Sequence, residues 1–299
     1  MAKQNISPTL QDAVDVFLLD YKARRLTAST IEYYKAYLAT AFVSWCKEHS
    51  ISHLHEVTAN RIRTYLATVQ DKGVAGYTVL NSARTVRAFL NFCVNEGWLT
   101  ETPMKRVSMP KIDKPLPQAF SHNDIRAMLD SAASSRDTAL ILFLLDTGLR
   151  CSEAISLKAG DIDMHTGQVM VMGKGRKQRA VFLGARTRRA LGRYWAEEGK
   201  PEATEPVFRS QTSNTGYFTR SGLFQVTRRI GKRAGIKPCT PHMFRRTFAI
   251  TCLRNGMDIY SLQRLMGHED LETLRHYLAL AKADIEAAHD RHGPVDNFT

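Results

Sequence analysis

Three prolines fall within nine residues at Met109-Pro-Lys-Ile-Asp-Lys-Pro-Leu-Pro117. Proline lacks an amide donor and pushes the residue before it out of the helical region, so neither a helix nor a central strand runs through this stretch. With its interspersed charges it reads as an extended linker over 109–118. The 299-residue chain is thereby divided into an N-terminal region, residues 1–108, and a C-terminal region, residues 119–299, each long enough to bury a core.

The N-terminal region is helical in pattern throughout. A helix is expected from Leu10 to Tyr21. Ser29 and Glu32 suit a capping box, after which Ile31, Tyr34, Leu38, Ala41 and Trp45 fall on one helical stripe. Thr58 is placed to cap a helix carrying Ile62, Tyr65, Leu66 and Val69. Val79, Val86, Leu90, Cys93 and Val94 give a third face, which Gly97 ends. The polar side of that helix carries Arg84 and Arg87, candidates for contact with a partner or simply for a solvated face.

The C-terminal region is mixed, mostly helical around one strand pair. Ser121 suits an N-cap, and the apolar run Leu140–Leu145 reads as a buried helix stopped by Gly148 in a left-handed turn. Gln168–Met172 and Gln178–Leu183 read as strands joined by Gly173-Lys-Gly-Arg-Lys177. Thr240 caps a further helix, with Pro241 in its first turn.

Charge narrows the partner. The chain carries 42 Lys and Arg against 29 Asp and Glu, a net charge of +13 with a pI near 9.7. Residues 1–110 hold 13 basic against 9 acidic groups, and the remainder 29 against 20. Both regions are basic, as a long polyanion would require. No segment approaches the roughly 20 apolar residues that span a bilayer, and Met1–Pro8 lacks the apolar core of a secretory leader. The five cysteines (Cys46, Cys93, Cys151, Cys239, Cys252) show no ligand spacing, so free thiols in a reducing compartment and no metal site are expected.

Phosphodiester chemistry without a metal requires fixed cations, hydrogen-bond donors, a nucleophile and a proton donor around one phosphate. Four segments of the C-terminal region offer these groups. Thr147-Gly-Leu-Arg-Cys-Ser-Glu153 holds Arg150 at a turn between helices, where a planar fork suits two phosphate oxygens. The basic turn offers Lys174, with Arg176, Lys177 and Arg179 beside it as DNA contacts. Thr240-Pro-His-Met-Phe-Arg-Arg246 puts His242 and Arg245 on one face at the positive end of a helix, with Arg246 as a further phosphate contact and Phe244 and Phe248 on the buried side. In Leu265-Met-Gly-His268, Gly267 ends a helix and His268 occupies the turn, with Tyr277 nine residues on. Each segment is weak alone; a lone Tyr near the C-terminus is commonly packing.

Their order, however, resembles that of the tyrosine recombinase (phage integrase) family, of a compact Xer-like or small mobile-element type. The resemblance spans nearly the whole chain, including Glu96-Gly-Trp-Leu-Thr100 at the exit from the N-terminal region. It implies a mainly α fold with a small β-hairpin: a helical core-binding domain at 1–108 and a mixed α/β catalytic domain at 119–299, clamping DNA between them. It implies Arg150, Lys174, His242, Arg245, His268 and Tyr277 as catalytic residues, Glu153 as a supporting acid, and neither cofactor nor metal. It further implies double-stranded DNA sites as partner, a homotetramer on two sites joined by a tail at Ala281–His289, and a cytoplasmic, nucleoid-associated location. Arg246 departs from the second histidine of many relatives, and His276 directly precedes Tyr277. A type IB topoisomerase, a catalytically dead regulator and a chromatin-like protein are the rival readings; none accounts for the ordered motifs together with the helical N-terminal region.

Overall fold

The computed structural model describes residues 8–112, 118–173, 178–210 and 216–267. The chain folds as two compact units, Met1–Pro115 and Leu116–Thr299, mostly helical with a two-stranded antiparallel sheet.

The first unit contains α1 (Leu10–Ala23), α2 (Ala28–Tyr34), a π-helical stretch (Lys35–Phe42), α3 (Val43–Glu48), α4 (Ala59–Asp71) and α5 (Gly76–Asn95). Thr58 caps α4 by accepting the amide of Arg61, and Gly97 follows α5 at φ +74°, both as expected. Two expectations fail. Thr27, not Ser29, caps α2, by accepting the Thr30 amide, so the Ser29–Glu32 capping box does not form. Ala41 is exposed, and Phe42 is buried in its place. The cause is the π-helical stretch, closed where the Val43 amide donates to the Leu38 carbonyl five residues back. That wider turn advances the buried face by one residue relative to a 3.6-residue period. Phe17 sits at the centre of this core, its ring 4.3–5.7 Å from those of Tyr21, Tyr34, Phe89 and Phe92.

The second unit contains α6 (His122–Asp130), α7 (Ser135–Thr147), α8 (Cys151–Ser156), β1 (Gln168–Met172), β2 (Gln178–Phe182), α9 (Ala185–Glu198), α10 (Arg220–Arg233), α11 (Pro241–Arg254) and α12 (Ile259–Met266). Ser121 caps α6 in a capping box with Asp124, and Thr240 caps α11 with Pro241 in its first turn. α7 runs through the middle of the core, Leu140, Ile141, Phe143 and Leu144 all buried, and packs along α9 through Leu191, Tyr194 and Trp195. β1 and β2 pair in the register Gln168–Phe182 to Met172–Gln178. Val169, Val171 and Val181 point inward, as the alternation of a half-buried strand demands. Phe244 is buried against Phe120, ring centroids 4.9 Å apart.

Candidate active site

Gly148 and Gly267 position the site. α7 ends at Gly148 with φ +56° and α12 at Gly267 with φ +61°, left-handed caps that L side chains rarely adopt. Both also lie against a neighbour. A Cβ on Gly148 would fall 2.2 Å from the Phe248 ring on α11, and one on Gly267 would fall 3.0 Å from Nη1 of Arg179 on β2. The glycines therefore let α11 and β2 approach the ends of α7 and α12 directly.

Arg245 projects from α11 into that meeting point and is buried. Nη1 donates to the Gly148 carbonyl at 2.7 Å and Nη2 to the Met266 carbonyl at 2.8 Å. Arg150, two residues beyond the α7 cap, donates to Met266 O at 3.2 Å and Gly267 O at 2.9 Å. One edge of each guanidinium thus satisfies carbonyls that a helix end leaves unpaired, and the negative ends of two helix dipoles favour the cations.

Glu153 lies beneath them on α8, its side chain 6% exposed. It accepts the Arg150 amide at 2.8 Å and Arg150 Nη1 at 2.9 Å. Arg179 binds it through both terminal nitrogens, at 2.9 and 2.8 Å, and Arg245 stands 4.0 Å away. Burial alone would push the Glu153 carboxyl up; the hydrogen bonds from Arg179 and Arg150 outweigh it and hold the group below its usual value of 4.5. The buried acid stays ionised.

His242, at the second position of α11, is exposed. The protein atoms crowding its ring, and then the charges of Arg246, Arg245 and Arg220, hold its pKa below the usual 6.5. It is therefore neutral at pH 7, as a proton acceptor must be. Arg220, in the first turn of α10, is a contributor that sequence reasoning missed: nothing local ties it to His242, 22 positions on.

The described residues bring Arg150, Glu153, His242 and Arg245 into one neighbourhood. Lys174, His268 and Tyr277 lie outside the described residues, as do Arg176, Lys177 and the tail at Ala281–His289. Arg84 and Arg87 are exposed on α5 without a hydrogen bond or ion pair among the described residues, and Arg246 is half-buried on α11. Arg179 does not fit its expected place. Its side chain is 12% exposed and its fork is turned inward onto Glu153, so the hydrogen-bonding edge is not offered to solvent. Among the described residues no group of His, Cys, Asp and Glu is arranged to hold a metal ion, and no helix is long and apolar enough to cross a membrane.

Two arginines anchored by helix ends stand around a buried carboxylate within a largely helical chain. Comparison with known proteins gives the chain its family. Residues 118–284 match the phage integrase family, and residues 14–97 match the phage integrase N-terminal SAM-like domain. The chain is 30% identical to tyrosine recombinase XerD of Listeria monocytogenes over 282 residues, covering 91% of this chain and 94% of that protein. It is 31% identical to XerD of Pseudomonas putida over 299 residues, covering 96% and 97%. A lambda integrase dimer bound to a COC′ core site shares the fold with a TM-score of 0.75 at 18% identity, over 89% of this chain and 97% of that one. XerH bound to palindromic difH substrate does so with 0.71 at 23%, over 90% and 81%. The chain belongs to the phage integrase family and is a tyrosine recombinase, an enzyme of site-specific DNA recombination.

Proposed function

We propose that the chain cleaves and rejoins DNA strands through a covalent 3′-phosphotyrosyl bond to Tyr277, with neither metal nor ATP. The convergence of Arg150 and Arg245 on the ionised Glu153 carries this reading, because it fixes two permanent cations in a preformed geometry. Arg150, Arg245 and His268 hold the scissile phosphate and stabilise the charge that develops on its oxygens. A tyrosine hydroxyl has an ordinary pKa near 10 and needs a proton acceptor; His242, neutral at pH 7, takes that role. Tyr277 oxygen bonds to phosphorus as the bond to the 5′ oxygen breaks, and Lys174 protonates that leaving oxygen. The 5′ hydroxyl of a partner strand then reverses the step, so phosphoester energy is conserved.

The substrate is double-stranded DNA at specific sites, contacted by Arg84, Arg87, Arg176, Lys177 and Arg246. Four protomers act on two sites, linked through the segment Ala281–His289, in the cytoplasm at the nucleoid. The division at 109–118 separates the core-binding region from the catalytic region. The test uses a duplex recovered from a random-sequence library by the protein itself, nicked so that a cleaved product is trapped. Wild type gives a denaturant-resistant protein–DNA adduct. Tyr277→Phe binds the duplex equally and gives none; an adduct with that variant assigns the attack elsewhere.

A further inference from the structure

Arg179 and Lys177 are near neighbours in one basic stretch, yet Arg179 is committed to the protein. Its Nε donates to the Leu265 carbonyl at 2.7 Å, its Nη1 and Nη2 grip Glu153, and its guanidinium carbon would lie 3.1 Å from a Cβ on Gly267. One planar group on β2 therefore joins α8, through Glu153, to the last turn of α12. Those are the two elements against which Arg150 and Arg245 rest: Arg150 on Glu153, Met266 and Gly267, and Arg245 on Met266. Chain order adds a further connection. Lys174 precedes Arg179 by five positions, and His268 directly follows Gly267.

We propose that Arg179 is a positioning residue that clasps β2 to the end of α12 and, through Glu153, sets the arginine pair for the phosphate. This rests on the strand-cleavage reading above. Arginine is needed because three donors in one plane reach a carboxylate and a carbonyl together, whereas lysine presents a point charge. Gly267 suits the clasp because it adopts φ +61° and because a Cβ there would press on the guanidinium from 3.0 Å. The clasp makes no DNA contact of its own; it acts by fixing groups that do. Small errors in such positioning lower the rate of a chemical step far more than they lower binding.

The experiment compares wild type with Arg179→Lys, which keeps a cation beside Glu153. Duplex binding and the first-order rate of adduct formation at saturating DNA are measured on the library-selected nicked duplex. The expected result is a rate reduced by about tenfold or more with affinity within about twofold and an unchanged slope of log affinity on log salt. Weaker binding with a salt slope smaller by about one and a normal rate would make Arg179 a phosphate contact and overturn the proposal. A normal rate with normal binding would overturn it equally. A second measurement does not depend on cleavage. Thermal unfolding of Arg179→Gln, Glu153→Gln and the double variant should show the pair losing less than the sum of the singles. Additive losses would sink the clasp. If wild type forms no adduct, the cleavage reading fails while this cycle still decides the clasp.

Discussion

Gly148→Ala is the most direct test of how the site is assembled, because it carries two separable costs. At φ +56° an alanine takes on the left-handed penalty of about 1–2 kcal/mol. Its Cβ would also lie 2.2, 2.7 and 2.9 Å from three atoms of the Phe248 ring. Relieving that overlap moves the ring or α11, at about 1–3 kcal/mol. Gly235 supplies the internal control. It lies in the same unit at φ +73°, and an added Cβ there would have nothing within 4 Å, so Gly235→Ala carries the first cost alone. At about 2–4 °C per kcal/mol for a domain of this size, Gly235→Ala loses roughly 2–8 °C. Gly148→Ala loses several degrees more, and Phe248→Leu in its background recovers some of the excess. Because Gly148 O is an acceptor for Arg245, Gly148→Ala also slows adduct formation while Gly235→Ala does not. Scanning calorimetry and the trapped-adduct rate give both readouts. Equal losses in the two single variants would show that the ring yields freely, and the argument from close approach would fall.

Glu153→Gln removes one charge from among three arginines and should cost about 3–5 kcal/mol in urea unfolding at pH 7, the penalty for breaking a buried pair. The Glu153 carboxyl is held below 4.5, so its contribution is present above pH 4.5 and lost as pH falls through the folded value; a wild-type-to-variant gap that is the same in acid contradicts the assignment. His242 is held below 6.5, so in the folded chain it stays neutral at pH values where a free imidazole would begin to protonate. The acid limb of the second-order cleavage rate should therefore lie below pH 6.5, and a limb at or above that value removes His242 as the base. Lys174→Ala should cleave ordinary DNA poorly yet recover on a duplex with a 5′-thio leaving group, which needs no proton; equal impairment on both reduces Lys174 to a phosphate contact.

Local chemistry was what the sequence made legible. Thr58, Ser121 and Thr240 announce helix starts because a side-chain oxygen satisfies an amide two or three residues on, wherever the helix later packs. Gly148 and Gly267 announce ends for a similarly local reason, and the apolar run of α7 could only be interior. What was not legible depends on partners distant in sequence. Ser29 and Thr27 are equally good caps by residue type, and the choice between them rests on where the chain enters α2. The π-helical stretch at Lys35–Phe42 carries no residue that signals it, and it alone turned Ala41 outward. Arg179 looked like its hairpin neighbours because nothing in the hairpin reports that Leu265, 86 positions on, would come to rest beside it. Glu153 was named only through the family resemblance; in the structure it is the group that three arginines share.

The two arginines of the pair are not equivalent, and the helix ends explain why. Arg245 is 6% exposed and bridges the carbonyl ends of α7 and α12, so it holds the two helices together as much as it is held by them. Arg150 is 36% exposed and rests on α12 and Glu153 by one side, which leaves it the more accessible to solvent. α11, which carries Arg245, also presents the other pole: one turn earlier its N-terminus holds His242 at the positive end of the dipole. Helix carbonyl ends thus meet the two cations, and a helix amide end carries His242. The negative charge that offsets the guanidiniums is supplied by Glu153. On the proposed cleavage reading, arginines held in this way leave little reorganisation for the step in which charge develops on the phosphate.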